Sequence, residues 1–101
     1  MRLGERYVDH INRLFVNSDF RKKDADTIRE ILGGNFPKSE TPVLVQPDSI
    51  DVEEKNGLTT KVTFSWDDYS FAFFMNWRKN ESGNGYILSR ALLAGAPENL
   101  G

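Results

Sequence analysis

Two alternating runs, Leu58 to Trp66 and Tyr69 to Trp77, stand two residues apart, and that spacing leaves few folds open. In a strand successive side chains point to opposite faces. One face of the first run then holds Leu58, Thr60, Val62, Phe64 and Trp66, and one face of the second holds Tyr69, Phe71, Phe73, Met75 and Trp77. Asp67-Asp68 as a two-residue turn sets Trp66 opposite Tyr69. Counting back pairs Phe64 with Phe71, Val62 with Phe73, Thr60 with Met75 and Leu58 with Trp77. A slip of one residue would set these rings against Ser, Thr and Lys, so turn length and apolar pattern specify the same register.

The neighbouring segments extend this hairpin. Ile50, Val52 and Glu54 alternate with Asp51 and Glu53. A three-residue loop, Lys55-Asn56-Gly57, pairs Ile50 with Val62 and Val52 with Thr60, with Gly57 left-handed beside a bulge. Val43 to Gln46 is at best an edge strand, because Pro47 ends it. Tyr86 to Leu93 reads as a strand, since Asn84-Gly85 closes a polar loop before it; a helix is the alternative. Upstream the period changes. Tyr7, Val8, Ile11, Leu14 and Phe15 form the stripe of a helix over about residues 4–17, with Glu5, Arg6, Asp9, Asn12 and Arg13 on its polar side. Asp24 is the N-cap of a second helix carrying Ala25, Ile28, Ile31 and Leu32, with Gly33-Gly34 as a left-handed stop. A connector follows, with prolines at 37 and 42. We therefore expect one α+β domain over residues 1–101: two N-terminal helices packed on one face of a three- to four-stranded antiparallel meander.

The two faces of that sheet carry the functional expectations. The inner face, with Phe64, Trp66, Tyr69, Phe71, Phe73 and Trp77, is either a packed core or the wall of a pocket for a small apolar ligand. The outer face is polar through Thr59, Lys61, Thr63, Ser65, Ser70, Ala72 and Asn76, but Phe74 interrupts it. If Ile87, Ser89, Ala91 and Leu93 face the core, then Tyr86, Leu88 and Leu92 join Phe74 outside. Such a patch marks contact with a second copy or with another protein.

Composition narrows the remaining classes. Thirteen basic and fifteen acidic residues give a net charge of −2, which argues against nucleic-acid binding. With no cysteine there is no disulfide framework, thiolate nucleophile or Cys-type zinc site. No apolar run reaches the ~18 residues of a membrane span, and the Met-Arg-Leu-Gly-Glu-Arg start is not of signal-peptide type, so we expect a cytoplasmic protein. His10, the single histidine, sits near the first apolar stripe; as a general base it would need an orienting partner and a pocket, and as a surface helix residue it needs neither. Asp67 and Asp68 suit a turn better than a cation site. Arg21-Lys22-Lys23 and Arg78-Lys79 are short basic clusters, and Gly83-Asn84-Gly85 lacks the pattern of a phosphate loop. These residues name no catalytic group, metal or cofactor.

Two helices followed by a curved antiparallel sheet resemble the cystatin-like roll shared by the nuclear-transport-factor-two-like proteins. Tyr7 to Phe15 looks like the group's first helix and Asp24 to Leu32 like its short second helix. The hairpin Leu58 to Trp77, the loop Asn80–Gly85 and the strand Tyr86-Ile87-Leu88 look like its sheet. The chain is shorter than the group's norm and shows no third helix. The resemblance implies pairing through the sheet and a list of activities that includes isomerases, hydrolases, ligand binders and adaptors. Its enzymes place Asp, His or Tyr inside the cone, whereas the inner face of the central hairpin here carries no acid. No catalytic residue is carried over, and fold alone does not assign function. The expected function is thus a non-catalytic interaction domain that homodimerises or binds a protein partner, with a binder of apolar ligands as the alternative and an isomerase- or hydrolase-like enzyme third.

Overall fold

A computed structural model of the chain describes residues 3–34 and 44–94. Among them the order of elements is helix α1 (Leu3–Phe15), strand β1 (Asp19–Phe20), helix α2 (Ala25–Gly33), and strands β2 (Ser49–Asn56), β3 (Thr59–Trp66), β4 (Tyr69–Lys79) and β5 (Tyr86–Leu93). The strands form one curled, fully antiparallel sheet in the order β1-β5-β4-β3-β2, so the fold is α+β with five strands rather than three or four. The added strand, β1, has two residues, too short for any periodicity to announce it.

The helices start and stop for local reasons. Asn17 takes a left-handed conformation (φ 67°), which asparagine tolerates, and this stops α1 two residues before its expected end. Asp24, extended at φ −69° and ψ 164°, holds the N-cap position of α2, where its carboxylate accepts the Thr27 hydroxyl at 2.5 Å rather than a helix N–H. The left-handed stop expected at Gly33-Gly34 does not occur: Gly34 has φ −97° and closes the helix by donating its N–H to Glu30 O at 3.2 Å. Residues 44–47 form no strand, although Leu44 joins the core; Val43 lies outside the described residues.

The central hairpin has the expected register from Thr60–Met75 to Trp66–Tyr69. Leu58 itself sits in the preceding turn, where its carbonyl accepts the Trp77 N–H at 2.9 Å. The β2–β3 hairpin differs from expectation by two residues: Ile50 faces Phe64 and Val52 faces Val62. Its turn is Gly57-Leu58, closed by the Asn56 side chain accepting the Leu58 N–H at 2.9 Å. The register shift lies between Glu54 and Asn56, so Lys55 is the extra residue and Gly57 needs no positive φ. A shift of two keeps every side chain on its face, which is why the apolar pattern could not exclude it.

Strand β5 contains the larger departure. Asn76 faces Arg90, but Trp77 faces Leu88, so Ser89 is inserted as a bulge. Beyond it the parity of the strand reverses. Ala91 and Leu93 face inward as expected, while Tyr86 and Leu88 also face inward and Ile87 turns outward. The expectation that Tyr86 and Leu88 lie on the outer face is therefore corrected: Leu88 is 0% exposed.

Both helices contribute to one core on the concave side of the sheet. Tyr7, Val8, Ile11 and Phe15 of α1 and Ile28 and Leu32 of α2 pack with Val62, Phe64, Phe73, Met75, Leu88 and Ala91. α1 comes very close to the sheet at Gly4, where a Cβ would stand 3.0 Å from a Leu93 methyl and 3.2 Å from the Phe71 ring. The curl brings distant strands together at one mouth. There the Lys23 ammonium lies 3.4 Å from the Glu54 carboxylate of β2 and 5.1 Å from the Tyr86 ring centre of β5.

Candidate functional site

Two surfaces hold the residues singled out in the sequence. The first is the outer, convex face. Phe74 and Leu92 stand directly opposite each other on β4 and β5, with Lys61 beside Phe74 on β3. Leu92 is 42% exposed and Phe74 is half-buried. Ile87 shares this face opposite Arg78, a placement that straight alternation missed because it ignores the bulge. The charges on the face are divided. Asp51 and Glu53 lie on β2 and Asp19, opposite Ile87, on β1, while Lys61, Arg78 and Arg90 lie on β3, β4 and β5 between them. Of the four interface candidates, then, Phe74 and Leu92 lie together on this face. Leu88 is in the core, and Tyr86 lies on the inner side under the Lys23 and Lys79 ammonium groups, 5.1 and 5.4 Å from its ring centre.

The second surface is the edge of the aromatic layer. At its centre Phe64 and Phe73 are 0% exposed, with ring centres 5.1 Å apart in an edge-to-face arrangement. Phe71 packs on both, at 5.6 and 6.1 Å, so these three rings are in contact with one another. Trp77 is buried at the far end, where its indole N–H donates to Thr60 Oγ1 at 2.9 Å. Trp66 and Tyr69 lie at the near end, where the layer opens. There Leu3 and Tyr7 of α1, Val45, Trp66, Asp68 and Tyr69 line an open cleft of about 350 Å³. The Tyr7 ring is 5.2 Å from Trp66 at 55°, and Trp66 is 5.9 Å from Tyr69 at 35°, so the rings form a curved wall. The Tyr7 hydroxyl donates to the Val45 carbonyl at 2.5 Å. Burial pushes its pKa above the ordinary phenol value, so it remains a donor at neutral pH. Leu3, Tyr7, Val45 and Asp68 come from three separate stretches of chain, and no pattern in any one stretch announces that they meet.

The other chemistry-bearing residues remain dispersed. His10 is buried on the inner side of α1. Asp67 and Asp68 form the exposed turn between β3 and β4. Asn80 organises the β4–β5 loop: its side-chain oxygen accepts the N–H groups of Asn84 and Gly85 at 3.1 and 3.3 Å, and its amide donates to the Asp19 carboxylate at 3.2 Å. Among the described residues no group of three or more His, Asp or Glu is placed to hold a metal, and no helix is long and apolar enough to cross a membrane. Comparison with protein-family models, with curated proteins and with solved structures returns no match.

Proposed function

We propose that this chain is a small non-catalytic interaction domain that pairs with a second copy of itself through the outer face of its sheet. The observation that carries the reading is the Phe74–Leu92 pair, two large apolar side chains set opposite each other on a face whose other large apolar residue is Ile87 and which is mostly polar elsewhere. Burying one such side chain in a partner is worth roughly 1.5–3 kcal/mol, and a two-fold contact uses each of them twice. Two helices followed by a curled antiparallel sheet also support the cystatin-like roll, and with it the sheet pairing that resemblance implies.

Size-exclusion chromatography with light scattering tests the proposal on the wild type and on Phe74→Asp. The wild type should run at twice the 11.5 kDa chain mass, and the variant at the mass of one chain with its unfolding transition retained. A wild type that stays at one chain mass at the highest soluble concentration rejects self-pairing. A Phe74→Asp variant that pairs as tightly as wild type rejects this face.

A further inference from the structure

We propose that Asn56 is a site of spontaneous covalent modification, where the side-chain amide converts to aspartate and isoaspartate in the folded chain. The inference uses none of the residues of the outer-face pair. The sequence holds two Asn-Gly dipeptides, Asn56-Gly57 and Asn84-Gly85. Glycine lacks the Cβ that would hinder approach to its own backbone nitrogen, so both dipeptides carry the makings of one reaction. The glycine nitrogen gives up its proton, and its electron pair attacks Cγ of the asparagine. The Cγ–Nδ2 bond breaks and ammonia leaves, which closes a five-membered succinimide. Water then opens the ring at either carbonyl. One product is aspartate, and the other is isoaspartate, whose main chain runs through the side-chain methylene. In sum, one amide and one water give one carboxylate and one ammonium, with no redox change and one added negative charge.

The fold treats the two dipeptides differently. In Asn84-Gly85 the attacking nitrogen is engaged, because Gly85 N–H donates to Asn80 Oδ1 at 3.3 Å. Gly85 O accepts the Asn80 N–H at 3.0 Å, and the residue is buried against Asn80, Asp19 and Phe20, so this nitrogen is held in place. The Asn84 side-chain oxygen accepts from the Ser82 hydroxyl at 2.6 Å and from the Asn80 amide at 3.2 Å, and both bonds oppose rotation of Cγ toward Gly85. Asn56-Gly57 stands instead at the tip of the β2–β3 hairpin, with both residues exposed and open space where a Gly57 Cβ would be. The Asn56 oxygen has one bond to release, from the Leu58 N–H at 2.9 Å, and among the described residues no hydrogen bond holds the Gly57 N–H. A hairpin tip is also where a sheet opens at least cost. The consequence is local: isoaspartate adds a methylene to the main chain at the residue paired with Thr59, beside the Lys55 bulge, and undoes the last rung of this hairpin.

Peptide mapping by mass spectrometry tests this on the intact chain, incubated at mildly alkaline pH both folded and in urea. Conversion makes a peptide about 1 Da heavier and splits it into aspartate and isoaspartate forms. In the folded chain Asn56 should convert at least about tenfold faster than Asn84, and in urea, where the hydrogen bonds on Asn84-Gly85 are gone, the two rates should agree within about threefold. Gly57→Ala should keep the cooperative unfolding of wild type, slow conversion at Asn56 by about tenfold and leave Asn84 unchanged. Equal rates at the two sites in the folded chain overturn the proposal, because the fold then does not discriminate. A difference that persists unchanged in urea belongs to the sequence alone and overturns it too. An Asn56 that stays intact in the folded chain while it converts in urea, or that converts at the wild-type rate in Gly57→Ala, overturns it as well.

Discussion

The free edge of β5 is closed by a single side chain of α1, and removing it should be costly out of proportion to its exposure. β1 pairs with Tyr86 and Ile87, and the turn after α1 reaches Leu88 through Asn17 N–H to Leu88 O at 3.0 Å. Past the bulge no strand among the described residues pairs with Ala91 on this edge. Asn12 takes that place: its Nδ2 donates to Ala91 O at 2.9 Å, and its Oδ1 accepts the Ala91 N–H at 2.8 Å. Ala91 is 1% exposed, so Asn12→Ala orphans a buried donor and a buried acceptor together. Each orphan costs about 1–3 kcal/mol, and the half-exposed setting of Asn12 lets water reach part of the gap, so the lower half of the range applies. Alanine returns about 0.5 kcal/mol through its better helix propensity. The net loss should be about 1.5–3.5 kcal/mol, a large share of the ~5–15 kcal/mol that holds a domain of this size. Urea unfolding followed by circular dichroism should show a lower midpoint at unchanged slope. Hydrogen exchange should show the Ala91 amide losing protection while its β4 partner Met75 keeps it. Arg13→Ala, one residue along, breaks only an exposed 3.4 Å pair with Asp9 and should cost under about 0.5 kcal/mol. If Asn12→Ala costs no more than Arg13→Ala, the side chain does not act as the missing strand and the account of this edge is wrong.

Two further substitutions test the ends of the sheet. A Cβ at Gly85 would stand 2.7 Å from both Asn80 Nδ2 and Asp19 Oδ1 and 3.1 Å from Phe20 O, so Gly85→Ala should part β1 from β5 and cost about 1–3 kcal/mol. Gly57→Ala meets nothing within 4 Å and should be neutral or stabilising by up to about 0.5 kcal/mol, and equal midpoint shifts in the two variants would refute this assignment. At the mouth, Lys23 has a side chain only 7% exposed. Lys23→Ala should cost about 2–3 kcal/mol through lost stem packing and the lost contact with Tyr86, whereas Lys23→Met, which keeps the stem, should stay within about 1 kcal/mol of wild type in thermal unfolding. A Lys23→Met variant as unstable as Lys23→Ala would mean that the charge, not the packed chain, holds the mouth closed.

What the sequence made legible follows from where two independent signals agree. At Trp66–Tyr69 the turn length and the alternation both specify one register, and the hairpin forms in it. At β2–β3 alternation alone allowed shifts of two, and the Asn56 side chain bonding Leu58, a local capping contact, chose among them. In β5 alternation had no power at all. Tyr86, Leu88 and Leu92 make one parity apolar while Ile87, Ala91 and Leu93 make the other so, and a strand of that kind accepts an inserted residue without burying a polar face. The bulge at Ser89 uses this freedom: it puts Leu88 into the core, brings Tyr86 under two lysines, and leaves Phe74 and Leu92 opposite each other on the outer face. Asn12, read as a polar helix position, and Tyr7, read as one more residue of an apolar stripe, have their particular roles only because the helix crosses the sheet where it does. A one-residue insertion in β5 thus decides which of its apolar side chains reach the outer face. With straight alternation Tyr86 and Leu88 would add to the outer patch, and Trp77 would lose Leu88 as its core neighbour. Deleting Ser89 is the perturbation that separates these descriptions. It forces residues 86–88 to reverse face or the sheet to slip, so Leu88 leaves the core and the chain should lose cooperative unfolding. Native-like folding of the deletion would mean that the register of β5 is set elsewhere.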